Sequence, residues 1–235
     1  MTLRVAVELP VDFASVGEFL ADAQAYDAAG AEAIWLGAGR DPLTLLAAVA
    51  VVTSRARLAA MVAAGPPWPP ALVAGVAATL GRLSRGRLDL CVLPGRGSTE
   101  ELVRALRAGG GPLRVLVGTG AAAADEAALG CAARLADGLL SAGATVAGVS
   151  AAFERVGELR RGGGGGAGEA ADPARELELW ARVPAPPGRA AWRELLEAYG
   201  AIGATGVVVA HAPNLLDILR NPEEDDRQDL AMAVG

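Results

Sequence analysis

The sequence predicts a (β/α)8 barrel, a TIM barrel in which eight parallel strands close a ring inside eight helices. Three observations predict it. A short apolar run followed by an amphipathic stretch repeats to the end of the chain, as in a parallel sheet covered by helices. The eight units average about 29 residues each, the spacing of a compact barrel. An open doubly wound sheet usually carries a glycine-rich turn after its first strand. Here residues Pro10 to Phe13 contain no glycine, and glycines come instead after the fourth and fifth strands.

The elements follow in order. Leu3 to Leu9 reads as the first strand, closed by Pro10. Ser15 and Glu18 form a capping box for a helix carrying Phe19, Ala23, Tyr26 and Ala29, which Gly30 ends. Ala33 to Leu36 is the second strand, and Asp41-Pro42 supplies an N-cap and first-turn proline for the next helix. Arg57 to Val62 is the third strand, followed by Pro66, Pro67, Trp68, Pro69 and Pro70, a stiff loop that cannot extend a ladder. A helix over 71–83 leads to the fourth strand, Leu88 to Leu93, which Pro94-Gly95 ends.

Ser98 caps a short helix through Leu102, Leu106 and Arg107. The fifth strand spans Leu113 to Val117, with Gly118-Thr119-Gly120 behind it and a helix from Ala121 to Leu135. Gly138 to Leu140 makes the sixth strand, and a helix over 146–160 runs into the glycine-rich loop 162–168. Glu176 to Val183 is the seventh strand, Arg189 to Tyr199 its helix, and Gly206 to Ala210 the eighth strand. A last helical turn covers Asn214 to Leu219 before an acidic tail, 221–235. The whole, 1–235, is expected to form a single domain.

Composition narrows the function. The net charge of −6, with no arginine stripe, argues against a nucleic-acid partner. All 21 basic residues are arginine. No run approaches the roughly 18 apolar residues of a membrane span, and the N-terminus lacks a signal-peptide core. Cys91 and Cys131 sit in apolar periodic segments and read as buried free thiols, which fits a soluble, cytoplasmic protein. One histidine and no Cys/His cluster predict no metal site. No nucleophile elbow or Walker loop is present.

Several stretches together are similar to a known family. "AYDAAGAEAIWLG" followed by "DPLTLLAAVAVVTSRARL" resembles the second βα unit of the luciferase-like monooxygenase superfamily. "LVAGVAATLGRLSRGRLDLCVLPG" resembles its next unit, and "LRVLVGTG" with "AARLADGLL" its fifth and sixth strands. Weaker echoes continue in "ELELWARV" and "GATGVVVAH".

The resemblance implies coenzyme F420 or FMN at the C-terminal mouth, with hydride transfer or oxygen insertion on a small-molecule substrate, and a possible homodimer. The "DPLTLLAA…TSRARL" wording leans toward the F420 branch. The matching positions are Val62 and Ala63 after strand three, Leu93 and Gly95 after strand four, and Gly118, Thr119 and Gly120 after strand five. Two departures stand out. The family's long excursion between strands four and five is reduced to one short helix between Gly95 and Leu113. The acidic residue and histidine that often follow strand two are replaced by Gly37-Ala38-Gly39-Arg40.

The residues themselves suggest where chemistry would sit. Gly118-Thr119-Gly120 is expected to open directly into a helix, so that its N–H groups face an anion at the dipole's positive end. His211, at the end of the eighth strand, and Glu8, at the end of the first, are the candidate catalytic groups. Each also has a structural reading, His211 bonded to its neighbours and Glu8 turned outward to solvent. Trp68 lies over a bound ring, forms part of a partner interface, or packs down onto the barrel. The leading functional reading is an F420- or FMN-dependent oxidoreductase. The alternatives are a degenerate, non-catalytic flavin-binding barrel and a subunit that pairs with a complete relative.

Overall fold

The computed structural model describes residues 3–39, 41–119, 125–162 and 176–221. Strands and helices alternate throughout: β1 (Arg4–Leu9), α1 (Val16–Ala28), β2 (Ala33–Leu36), α2 (Pro42–Val52), β3 (Arg57–Ala63), α3 (Pro70–Leu83), β4 (Leu88–Leu93), α4 (Thr99–Ala108), β5 (Arg114–Thr119), α5 (Glu126–Leu135), β6 (Gly138–Ser141), α6 (Val146–Arg161), β7 (Glu178–Val183), α7 (Arg189–Ala201), β8 (Gly206–Ala210) and α8 (Leu215–Arg220). The strands pair in parallel in sequence order, and β8 pairs back onto β1 to close the barrel. The expected (β/α)8 architecture is therefore the observed one. Between β4 and β5 stands only α4, so the connection is compact as read.

The helix starts follow from local chemistry. Asp41 Oδ1 accepts the Thr44 N–H, Ser15 Oγ the Glu18 N–H, Ser98 Oγ the Glu101 N–H, and Thr145 Oγ1 the Gly148 N–H. Each satisfies a donor that the first helical turn leaves open. Gly30, Gly86 and Gly203 take positive φ at the turns after α1, α3 and α7, where an L side chain would be strained.

Two boundaries differ from the expected ones. β5 extends through Thr119, because Gly118 and Thr119 stay in register with Leu140 and Ser141 of β6. β7 begins at Glu178 rather than Glu176, its first N–H bonding the Asp137 carbonyl. Residue 120, the start of the helix expected from 121, most of the glycine-rich loop and the tail from 222 lie outside the described residues.

Apolar burial comes in two concentric layers. The outer one lies between strands and helices and holds most of the core, from Val7 and Ile34 to Phe153 and Val209. The inner one fills the ring: Ala6, Ala33, Trp35, Ala59, Met61, Cys91, Leu116, Leu140, Trp180 and Val208. Small residues balance two large ones there. Trp180 occupies the space a side chain at Gly206 would need, and its ring centroid lies 6.2 Å from that of Trp35. Cys91 sits wholly inside this layer, and burial pushes its thiol far above its ordinary range, so it stays neutral.

Charges close the N-terminal end of the ring. Asp89, 1% exposed, is gripped by Arg57 and by Arg114, whose Nε and Nη2 lie 2.9 and 2.7 Å from its oxygens. Arg114 Nη1 also donates to Glu178 at 2.7 Å, and Glu178 further accepts from Arg4 Nη2 at 3.0 Å and Trp180 Nε1 at 2.9 Å. Burial works against the Arg114 charge, yet Asp89 and Glu178 hold its guanidinium above its ordinary value. Outside the ring, Asp27 of α1 accepts the backbone N–H groups of Ser54, Arg55 and Ala56 and so fixes the turn into β3.

Replacing Asp89 by Ala leaves two guanidiniums without their shared carboxylate. Urea unfolding should show a loss of about 3–5 kcal/mol, the usual consequence of breaking a buried pair. A loss under about 1 kcal/mol would mean that the ring is not held by this cluster.

Candidate active site

The strands run inward-outward in alternation, so the residue types at their C-terminal ends decide what the mouth presents. On β1 the inward series is Arg4, Ala6, Glu8; on β7 it is Glu178, Trp180, Arg182. Each strand thus carries opposite charges at its two ends with an apolar residue between. β8 lies between them, and its residues opposite Glu8 and Arg182 are Ala210 and Val208, small enough to be spanned.

Glu8 and Arg182 meet across β8 in a two-pronged bond. Arg182 Nε donates to Oε2 at 2.6 Å and Nη2 to Oε1 at 2.7 Å. Glu8 is 8% exposed, whereas the Arg182 side chain is 47% exposed and reaches the mouth. The Glu8 hydrogen bonds hold the Arg182 guanidinium above its ordinary value. Gly37, at the end of β2, makes room for this carboxylate, since a Cβ there would lie 2.5 Å from Glu8 Oε1. Glu8 therefore points into the ring, against the outward alternative.

Two cavities open beside this pair. One, of about 300 Å³, is lined by Met61, Leu93, Pro94, Thr119, Leu140, Ala142 and Arg182. The other, of about 440 Å³, is lined by Ala38, Gly39, Pro42, Leu43, Met61, Val62, Ala63 and the loop residues Pro66, Pro67 and Trp68. Met61 forms part of both walls. Trp68 is half-buried, packs against the outer core and at the same time borders the larger cavity. The Pro66–Pro67 peptide is cis, and the loop doubles back through a bridge between Gly65 and Trp68.

The residues singled out from sequence separate into three groups. Val62 and Ala63 line the larger cavity, Leu93 and Thr119 the smaller one, and Glu8 stands beside the latter through Arg182. Gly95 and Gly118 are at the mouth for packing reasons. A Cβ on Gly95 would collide with the Ala64 carbonyl, so this glycine lets the loops after β3 and β4 touch. A Cβ on Gly118 would collide with Leu93, so this glycine seats Leu93 in the cavity wall.

The expected anion cradle at Gly118-Thr119-Gly120 is corrected on its described part. Gly118 and Thr119 are strand residues, and α5 starts at Glu126, capped by Asp125. Their N–H groups therefore do not stand at a helix N-terminus. Gly120, like Arg40, lies outside the described residues.

His211 falls in the third group. It is the first residue after β8, but its side chain turns outward to α1, where Nδ1 hydrogen-bonds the Tyr26 hydroxyl at 3.0 Å. Its Nε2 lies 3.9 Å from Asp22 Oδ2, and its backbone N–H donates to the Glu8 carbonyl. Burial and then Asp22 push the Tyr26 hydroxyl up to about 12, so it stays protonated at neutral pH. The structure does not bring His211 to the cavities. Among the described residues, no group of three or more His, Cys, Asp and Glu side chains could hold a metal ion.

Sequence reasoning missed Arg182, the one charged side chain lining either cavity among the described residues. Its signal was present: in "ELELWARV" the alternation Glu178, Trp180, Arg182 mirrors Arg4, Ala6, Glu8 with the charges reversed.

Residues 4–114 match the family model described as luciferase-like monooxygenase. Over that stretch the chain is similar to the luciferase-like monooxygenases. A search of curated proteins gives no match. Solved structures share the barrel. One is an F420-dependent secondary alcohol dehydrogenase in complex with an F420–acetone adduct, with 11% identity, 94% of this chain and 98% of that chain covered, and a TM-score of 0.75. A coenzyme F420 dependent tetrahydromethanopterin reductase from Methanopyrus kandleri has 13% identity, 94% and 97% coverage, and a TM-score of 0.70. The oxygenating constituent of 3,6-diketocamphane monooxygenase from Pseudomonas putida, in complex with FMN, has 12% identity, 92% and 94% coverage, and a TM-score of 0.67. At these identities the likeness is one of fold. No helix among the described residues is long and apolar enough to cross a membrane.

The packing role of Gly118 is testable. Gly118→Val should displace Leu93 into the smaller cavity and lower stability by about 1–3 kcal/mol in urea unfolding, the range for overpacking. Combining it with Leu93→Ala should restore most of that loss. Failure of the second change to rescue would separate Gly118 from Leu93.

Proposed function

We propose that this luciferase-like barrel is an oxidoreductase that works with F420 or FMN, by hydride transfer to or from a small organic substrate. The observation that carries the reading is the pair of adjoining cavities at the strands' C-terminal ends, with Met61 in the wall of both. Both fall within or near the size range of small-molecule sites.

The larger cavity fits a flat, largely apolar ring. Its walls, among the described residues, are alanine, glycine, proline, leucine, methionine, valine and tryptophan, which approach a ring closely and offer no side-chain charge. Val62, Ala63 and Trp68 would hold the ring, and Pro66, Pro67 and Trp68 would exclude water from one side. The bound ring would supply the two-electron chemistry. Met61 stands between it and the smaller cavity, where the substrate would lie.

Hydride transfer suits the side chains present. Among the described residues, Glu8 is engaged by Arg182 and His211 faces Tyr26, so neither is set to move a proton at the mouth.

Titration of the purified protein with FMN and with F420, read by absorbance and fluorescence, should give micromolar or tighter binding of one of them. Ala63, exposed at the strand end, can take a larger side chain without disturbing the core. Ala63→Trp should weaken that binding at least tenfold at unchanged melting temperature. Binding of neither compound, or equal affinity in the variant, would contradict the assignment.

A further inference from the structure

We propose that the smaller mouth cavity is a carboxylate site: it takes a small organic acid, head group on Arg182 and apolar body against Met61, Leu93 and Leu140. As a statement about binding it stands alone. As a statement about the substrate it rests on the oxidoreductase reading above.

The polar groups of the cavity select the ligand's sign. Arg182 spends Nε and one side of Nη2 on Glu8, and among the described residues nothing accepts from Nη1. Thr119 also lines the cavity, is 4% exposed, and its hydroxyl has no partner among the described residues. Donors that face a cavity, one of them cationic, favour an acceptor-rich anionic ligand, because charge-assisted hydrogen bonds are the strong ones. An amine finds nothing comparable. Both Glu8 oxygens already accept from Arg182, and Glu8 itself does not line the cavity.

The same barrel shows how such a guanidinium is completed. At the opposite end Arg114 gives Nε and Nη2 to Asp89 and Nη1 to a second carboxylate, Glu178, at 2.7 Å. Arg182 repeats the first half of that arrangement with Glu8 and leaves the Nη1 side open toward the mouth. A ligand carboxylate would stand where Glu178 stands for Arg114. A planar fork held by one carboxylate is pre-organised for the next, which an ammonium is not. The rest of the lining is Met61, Leu93, Pro94, Leu140 and Ala142, suited to a short hydrocarbon body.

The test is calorimetric titration of the protein, free of FMN and F420, with hexanoate, hexanamide and hexylamine. Hexanoate should bind at least tenfold more tightly than either of the others. Arg182→Lys keeps the charge beside Glu8 but loses the fork, and should weaken hexanoate at least tenfold. Ala142→Leu should weaken hexanoate and leave acetate unaffected, because only the longer acid needs the body of the cavity. Equal affinities for hexanoate and hexanamide, or hexanoate binding untouched by both substitutions, would overturn the proposal. Because no redox compound is present, loss of hexanoate binding leaves the FMN and F420 titrations standing, and failure of those titrations leaves this result standing.

Discussion

A carboxylate held inside a strand ring is cut off from the water that would solvate it, so a guanidinium must meet it there, as at Asp89 and Glu8, both buried. This barrel satisfies that demand at both ends. Asp89 and Glu178 bind Arg57, Arg114 and Arg4 at one, and Glu8 binds Arg182 at the other. Between them the ring is apolar, with Trp35 and Trp180 fitted among alanines and Gly206. The division follows from strand alternation, which gives β1 and β7 charges of opposite sign at their two ends.

The pairing at the mouth governs the acid site proposed for the smaller cavity. Glu8 enters from β1 into space that Gly37 leaves at the end of β2, so a carboxylate stands inside the ring although Gly37, Ala38 and Gly39 supply none. Holding Arg182 from behind, Glu8 is a positioning residue and Arg182 the group a ligand would meet. The short connection through α4 leaves Leu93 and Pro94 at the edge of the cavity, while the proline loop after β3 walls the other side.

Much of the fold was legible because its signals are local. Asp41-Pro42, Ser15 and Ser98 mark helix starts by chemistry that needs no tertiary contact, and eight apolar runs are read one at a time. The site was legible only in part. Val62, Ala63 and Leu93 could be placed at strand ends, but Gly118 reads the same whether it opens a loop or seats a leucine from the neighbouring strand. Arg182 escaped because its partner is 174 residues away and meets it only once β8 closes onto β1. His211 shows the opposite error, since reaching the strand end does not decide the side. Counting outward from Val208, which faces the ring, puts residue 211 outside it.

The most direct test of the account is a double-mutant cycle on Glu8→Gln and Arg182→Gln, read by urea unfolding. If the two side chains form the internal pair that organises the mouth, the single substitutions should cost more together than the double one. The coupling should be about 1 kcal/mol or more, within the range for residues in one network. Additive losses, with coupling near zero, would mean that the pair does not hold the mouth and would contradict the account built on it.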